Sequence, residues 1–223
     1  MNTSVPAIRL RNIVEFGDTS EQGEALLDRL SLDVPRPASI GILGGPRSGK
    51  STLARLMAGH VRPTRGTIEI NGNISWAANM PLRPLPSLKL RDYVHFVARM
   101  NSADPDHVMH NVITMCGFPE DHDPIAGDLD KNDKAKLQLA LKFAFDFDCY
   151  ILDEPSFSTD PIFRLMAETV IERMSRRRSI VFLSKSERIL RRFCDVTYRL
   201  EKGQLVLAAP AAPSTEAVQD DLE

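Results

Sequence analysis

Residues Gly44, Gly45, Pro46, Arg47, Ser48, Gly49, Lys50 and Ser51 run in the pattern G-x-x-x-x-G-K-[ST], the spacing of a loop that grips phosphate. Its glycines let the backbone turn N–H groups inward around phosphate oxygens. A helix opening after Lys50 aims its positive end at the same anion. Lys50 is then expected to reach the β- and γ-phosphates, and the Ser51 hydroxyl to hold Mg²⁺. With Thr52, these residues make up the expected nucleotide-binding stretch. A second group lies in CYILDEP at 149–155. Four mostly apolar residues followed by Asp153 and Glu154 put two carboxylates at the carboxyl end of a buried strand, where ligands bind in open α/β sheets. Asp153 is expected at the metal and Glu154 at the attacking water, which makes Lys50 and Glu154 the expected catalytic pair.

The elements around these residues are readable from their patterns. ASIGIL at 38–43 is too short for a helix, is bounded by breakers, and feeds the loop and the helical LARLMAG, so it reads as a buried strand. AIRLRNIVEF at 7–16 and LLDRLSLDV at 26–34 alternate as half-buried strands. TIEI at 67–70, Asn71-Gly72 and NISW at 73–76 read as two strand pieces joined by a turn. Helical patterns follow near 88–101, 105–116 and 132–145, then strands at 149–153 and 179–184 with a helix at 161–176 between them. VTYRLEKGQLVLA reads as a hairpin about Lys202 and Gly203. Strand and helix alternation around a helical insertion predicts an α/β protein with a mostly parallel central sheet, N-terminal antiparallel strands and a small helical subdomain. The expected division is an α/β core over 1–76 and 146–208, a helical subdomain over 77–145 and a disordered acidic tail over 209–223.

Composition narrows the classes. The 223 residues are 43% hydrophobic and 26% charged with a formal net charge of -2, as in a globular domain and without the basic field of a nucleic-acid binder. No apolar run reaches the roughly 18 residues of a membrane span, and the N-terminus lacks a secretory leader. Cys116, Cys149 and Cys194 are widely spaced, which suits reduced, buried thiols in a cytoplasmic protein better than a metal site or disulfide framework. His107 and His110 form only a weak H-x-x-H on an exposed helix face. Arg176, Arg177 and Arg178, with Arg188, Arg191 and Arg192, can meet anionic lipid, though such runs are more often solvated.

Over residues 7–207 the chain resembles the ATP-binding subunits of ABC transporters. The resemblance rests on GILGGPRSGKSTLARLMAGHVRPTRGTIEING at 41–72, FDCYILDEP at 147–155 and FCDVTYRLEKGQL at 193–205. It implies a P-loop NTPase of the ABC ATPase type that binds ATP and Mg²⁺ and hydrolyses ATP. It also implies adenine stacking by Phe16, communication across a dimer by Asp160, and two ATPase subunits sandwiching nucleotide as a homodimer or heterodimer. Such a subunit docks on a separate integral membrane permease, here through the helical subdomain and the loop around Arg83, and sits peripherally on the cytoplasmic face of the inner membrane. ISW at 74–76, LRDYVHFVARM at 90–100 and AFDFDCYILDE at 144–154 resemble exporters of capsular polysaccharide, O-antigen and related lipid-linked glycans.

Three family features are altered. LDKND at 129–133 stands where the LSGGQ-type signature belongs, with Asp130 and Asn132 replacing a serine and a glycine that approach ATP of the opposite subunit. At about 4 Å and an effective dielectric near 20, a carboxylate facing a phosphate costs about 4 kcal/mol per charge pair. Asp130 or Asp133 also suits a helix N-cap. Lys185 occupies the slot of the switch histidine, and a loop glutamine is missing near Met80. The expectation is MgATP binding with slow or partner-dependent hydrolysis; the alternative is an impaired regulatory subunit paired with an active ATPase.

Overall fold

The computed structural model describes residues 5–17, 24–77, 87–121 and 123–208. The apolar run ahead of the glycine loop becomes β3 (Ser39–Leu43), which lies inside a sheet and is parallel to β6 (Ser179–Ser184) on one side and β7 (Val196–Glu201) on the other. β5 (Cys149–Asp153) extends the sheet parallel to β6, and β8 (Gln204–Leu207) closes the other edge antiparallel to β7, giving the order β5-β6-β3-β7-β8. A separate antiparallel sheet has β1 (Ile8–Phe16) between β2 (Ala25–Val34) and β4 (Arg65–Ile70). The α/β class, the parallel centre and the antiparallel N-terminal strands are as the sequence predicts.

Strand periodicity sorts the core into two layers. Cys149, Ile151, Val181 and Leu183 face a layer shared with Ile40, Ile42, α1 (Lys50–Met57) and the antiparallel sheet. Tyr150, Leu152, Ile180 and Phe182 face the other layer. There they meet α2 (Leu90–Met100), α3 (Pro105–Cys116), α4 (Lys131–Phe143), α5 (Pro161–Ser175) and α6 (Glu187–Phe193). Each of α3, α4 and α5 starts on an aspartate, Asp104, Asp130 and Asp160, whose carboxylate accepts backbone N–H bonds from the first turn.

Two segments differ from the sequence expectation. Residues 71–76 do not return beside β4. Gly72 turns at φ +96, and the chain crosses to the other sheet, where Ile74 forms an isolated parallel bridge with Cys149. The Asn-Gly pair therefore redirects the chain between sheets. The helix α6 was not anticipated: Glu187–Phe193 is seven residues long, and only Leu190 is buried, so it offers too little apolar periodicity to read. The expected loop at 80–86 with Met80 and Arg83, and the tail at 209–223, lie outside the described residues.

The pairing of β1 with β4 makes one demand on residue type. The β1–β4 register shifts between Arg11 and Val14. Beside that shift Gly66 has φ +96, and an added Cβ would lie 2.5 Å from the carbonyl oxygens of both Arg11 and Asn12. Those atoms are backbone and cannot swing aside. Gly66→Ala is expected to lower stability by about 2 kcal/mol or more, seen as a lower urea midpoint at unchanged slope.

The outer edge of β5 is closed without a strand. Ser75 N–H donates to the Cys149 carbonyl at 2.9 Å, and Cys149 N–H donates to the Asn73 carbonyl at 3.4 Å. Ile151 N–H donates to Ser75 Oγ at 2.8 Å, and Lys142 Nζ donates to the Ile151 carbonyl at 2.7 Å. Two residues in extended chain and two side chains thus do the work of a neighbouring strand.

Candidate functional site

The loop of residues 44–51 connects β3 to α1 with no spare chain. Gly44 N–H donates to the Ser184 carbonyl at 3.2 Å, fixing the loop's start to the end of β6. A Cβ on Gly44 would lie 2.5 Å from Ser48 Oγ and 3.2 Å from Ser48 Cβ, so the loop folds back closely over that position. Gly49 is the N-cap of α1 at φ +96, and the first turn contains no acidic residue. The helix therefore presents its amide end with no carboxylate from its own first turn. Gly45, Pro46 and Arg47 are exposed, Ser48 and Thr52 half-buried.

Lys50 extends back across the loop. Its side chain is 7% exposed, and Nζ donates to the Gly44 carbonyl at 2.6 Å and the Gly45 carbonyl at 2.9 Å. Glu154 Oε1 lies 3.4 Å from the same nitrogen. β3 and β5 thus deliver a cation and an anion to one place, although 104 residues separate them along the chain and β6 lies between them in the sheet. Ser184 at the end of β6 donates to Glu154 Oε2 at 3.4 Å.

Asp153 and Ser51 form the candidate metal ligands. Asp153 Oδ1 is buried without a hydrogen-bond partner. Burial pushes the Asp153 carboxyl above the usual range, opposed by a hydrogen bond from Ser51 and by the charges of Lys50 and Lys142. A half-satisfied carboxyl group beside a hydroxyl suits a hard cation that takes its remaining ligands from water and phosphate. Among the described residues no cluster of three or more His, Cys, Asp or Glu side chains can hold a metal by itself, so a Mg²⁺ carried in with phosphate fits this donor set.

A cavity of about 200 Å³ opens beside these groups, between β5 and the helices, with Ser51, Trp76, Tyr93, Lys142, Asp153 and Glu154 on its walls. Gln138 lines it as well, one turn of α4 before Lys142. Burial lowers the Lys142 ammonium to about 7, with Asp153 acting in the opposite sense. Neither residue was expected from the sequence. A lysine inside the apolar stretch LALKFAF is the signal that points to Lys142, because a charge there must find a partner indoors.

The remaining expected positions are distributed as follows. Phe16 ends β1 opposite Ala25 and is 39% exposed, so it is not a core side chain. Asp130 is the N-cap of α4 and accepts from Asp133 N–H at 2.7 Å. Asn132 Oδ1 accepts from Ser158 Oγ, Thr159 N–H and Thr159 Oγ1 at 2.6, 2.9 and 3.1 Å. Asp160 caps α5 and pairs with Lys136 Nζ at 2.7 Å. Lys185 is exposed just beyond β6. Arg178 pairs with Asp146 and Asp148, Arg191 with Glu187, and Arg192 with Glu168, so half of the six expected arginines carry acidic partners. Cys116 and Cys149 are buried free thiols, Cys194 a partly buried one. His107 and His110 are exposed on α3, and no described helix is long and apolar enough to cross a membrane.

The sequence pattern of the ABC transporter family matches residues 27–157. The ATP-binding protein BexA of Haemophilus influenzae is 32% identical over 88% of this chain and 90% of its own length. The capsule polysaccharide export ATP-binding protein CtrD of Neisseria meningitidis is 30% identical over 84% of this chain and 87% of its own. Among solved structures, a dimeric ATP-binding cassette in a post-hydrolysis state with ADP and Pi superposes with a TM-score of 0.78 at 16% identity. That superposition covers 92% of this chain and 99% of the other. This last likeness concerns the fold.

Proposed function

The chain belongs to the ABC transporter family as an ATP-binding subunit with ATPase activity, and on that premise we propose that it drives export of a capsule-type polysaccharide or lipid-linked glycan through a separate membrane permease. The substrate class is inferred from relatives such as the capsule polysaccharide export protein CtrD. The observation that carries the chemical part is the meeting of Lys50 with Glu154 at 3.4 Å where the glycine loop and the end of β5 converge.

In this reading the loop amides of residues 44–51 and Lys50 hold the phosphates, and Phe16 offers its exposed ring to adenine. Ser51 and Asp153 would hold Mg²⁺, which supplies neutralisation of phosphate charge when bound. Glu154 accepts a proton from the attacking water, and Lys50 beside it compensates developing charge on the terminal phosphate. Two such subunits enclose the nucleotide, either two copies of this chain or this chain with another ATPase subunit. The pair sits on the cytoplasmic side of the membrane against its permease. Asp130 and Asn132, each committed to bonds within the chain, favour slow turnover by the isolated subunit.

Glu154→Gln tests the assignment. The variant is expected to bind MgATP as the unaltered chain does and to lose turnover about a hundredfold or more. Turnover of purified protein and nucleotide affinity are measured side by side. Equal turnover in the variant removes Glu154 from the reaction.

A further inference from the structure

Between the end of β5 and the start of α5, six residues carry the chain from Glu154 to Thr159, and two of them hold left-handed backbone: Glu154 at φ +46 and Ser158 at φ +64. For residues with a Cβ each such conformation is unfavourable and persists only where neighbours enforce it. At the first end the enforcing bond is Glu154 N–H to the Leu183 carbonyl at 2.8 Å. At the far end it is Asn132.

Asn132 lies on the first turn of α4, outside the segment and 22 residues before Glu154. Its Oδ1 accepts from Ser158 Oγ, from Thr159 N–H and from Thr159 Oγ1. A backbone N–H among the donors fixes which end of the amide faces the turn. The Ser158 hydroxyl in turn accepts Asp160 N–H at 3.0 Å, so the bonds run on into the cap of α5. Phe157, between the two strained residues, stacks on Phe193 of α6 at 5.8 Å. By contrast, the Glu154 carboxylate is held only loosely. Its two contacts, Lys50 Nζ and Ser184 Oγ, are both 3.4 Å away, and its side chain is 42% exposed. Side-chain bonds that long do not fix a direction, so the aim of the carboxylate comes from the backbone beneath it.

We infer that Asn132 is a positioning residue for the hydrolytic site: by clasping the 158–159 turn to α4 it holds the backbone from which Glu154 points. The inference rests on the reading of Glu154 as the base. Asn132 touches no nucleotide in this role. Its loss leaves binding intact and lets Glu154 wander, a displacement to which proton transfer is steeply sensitive.

The experiment is single-turnover cleavage of MgATP with the full chain in excess, beside equilibrium affinity for MgATP. Asn132→Ala is expected to slow cleavage about tenfold with affinity within about twofold. Asn132→Asp, which keeps the accepting oxygen, is expected to recover most of that rate. Adding Thr159→Val to Asn132→Ala is expected to slow cleavage no further, because the hydroxyl bond that it removes is already gone. Cleavage by Asn132→Ala within twofold of the unaltered chain, affinity falling in step with rate, or additive losses each overturn the inference. Should Asn132→Ala fail to fold, Thr159→Val alone carries the test: it removes one of the three bonds and is expected to slow cleavage about threefold at unchanged affinity. Glu154→Gln separates the two levels. If it cleaves at the unaltered rate, the base assignment has failed; if it is inactive while Asn132→Ala is normal, only the clasp has.

Discussion

Lys50→Met is expected to reduce ATP turnover by about a hundredfold or more and to weaken nucleotide binding with it. Methionine keeps the length and apolar stem of lysine, so the change isolates the charge. Lys50 is 7% exposed, and its ammonium has three anionic or carbonyl oxygens within 3.4 Å: Gly44, Gly45 and Glu154. A cation so enclosed acts in reduced dielectric, where its attraction for a phosphate greatly exceeds the value in water. It is also held ready, so little reorganisation accompanies the arrival of negative charge. Turnover by phosphate release and binding by quenching of Trp76, the single tryptophan of the chain, are the two measurements. Unchanged turnover would remove Lys50 from the reaction.

Lys142→Met is expected to abolish a rise of stability with pH. Burial lowers the folded-state pKa of Lys142 from 10.5 to about 7. A lowered lysine pKa means that the unfolded chain binds more protons between those values. Stability therefore increases as pH rises above 7, is complete above 10.5, and is lost as pH falls through 7. The slope contributed by one such group approaches about 1.4 kcal/mol per pH unit. The thiols of Cys116, Cys149 and Cys194 are pushed up to about 12 by burial and act in the opposite sense, but only once an unfolded thiol ionises. Together the three thiols offset on the order of 0.5 to 1 kcal/mol by pH 8.5, but both proteins carry them, so the difference between the two urea profiles isolates Lys142. Between about pH 7 and 8.5 the unaltered chain should gain on the order of 1 to 2 kcal/mol relative to Lys142→Met. An equal gain in both proteins would show that Lys142 is not the group responsible.

The parts of the molecule built from local rules were readable in advance. The loop at 44–51 carries its phosphate chemistry in spacing alone, and β5 shows its strand nature and its two terminal carboxylates in seven letters. The helices near 88–101, 105–116 and 132–145 are legible as helical patterns, the last from its apolar periodicity and the aspartate at its start. What escaped depends on contacts between distant segments. Gly72 looks like a hairpin residue until the parallel sheet competes for Ile74 and wins it for Cys149. Asn132 appears only as a departure from a family pattern, because its partners Ser158 and Thr159 lie beyond an entire helix and strand. Lys142 stands out only as a lysine inside the apolar stretch LALKFAF, and tertiary packing is what sets its ammonium under β5.

The closed edge of β5 bears on how this protein meets other chains. A bare strand edge is a template on which another polypeptide can add itself, and many proteins blunt theirs with a charge pointing outward. Here the Ile151 carbonyl is already occupied by Lys142, and the Cys149 carbonyl and Ile151 amide by Ser75. Growth of the sheet into a neighbouring molecule is thereby blocked on the side that faces the helices, including recruitment into fibrils. A partner that meets the molecule at this edge must engage it through side chains and helix faces instead, and can leave it without tearing a shared ladder of backbone bonds.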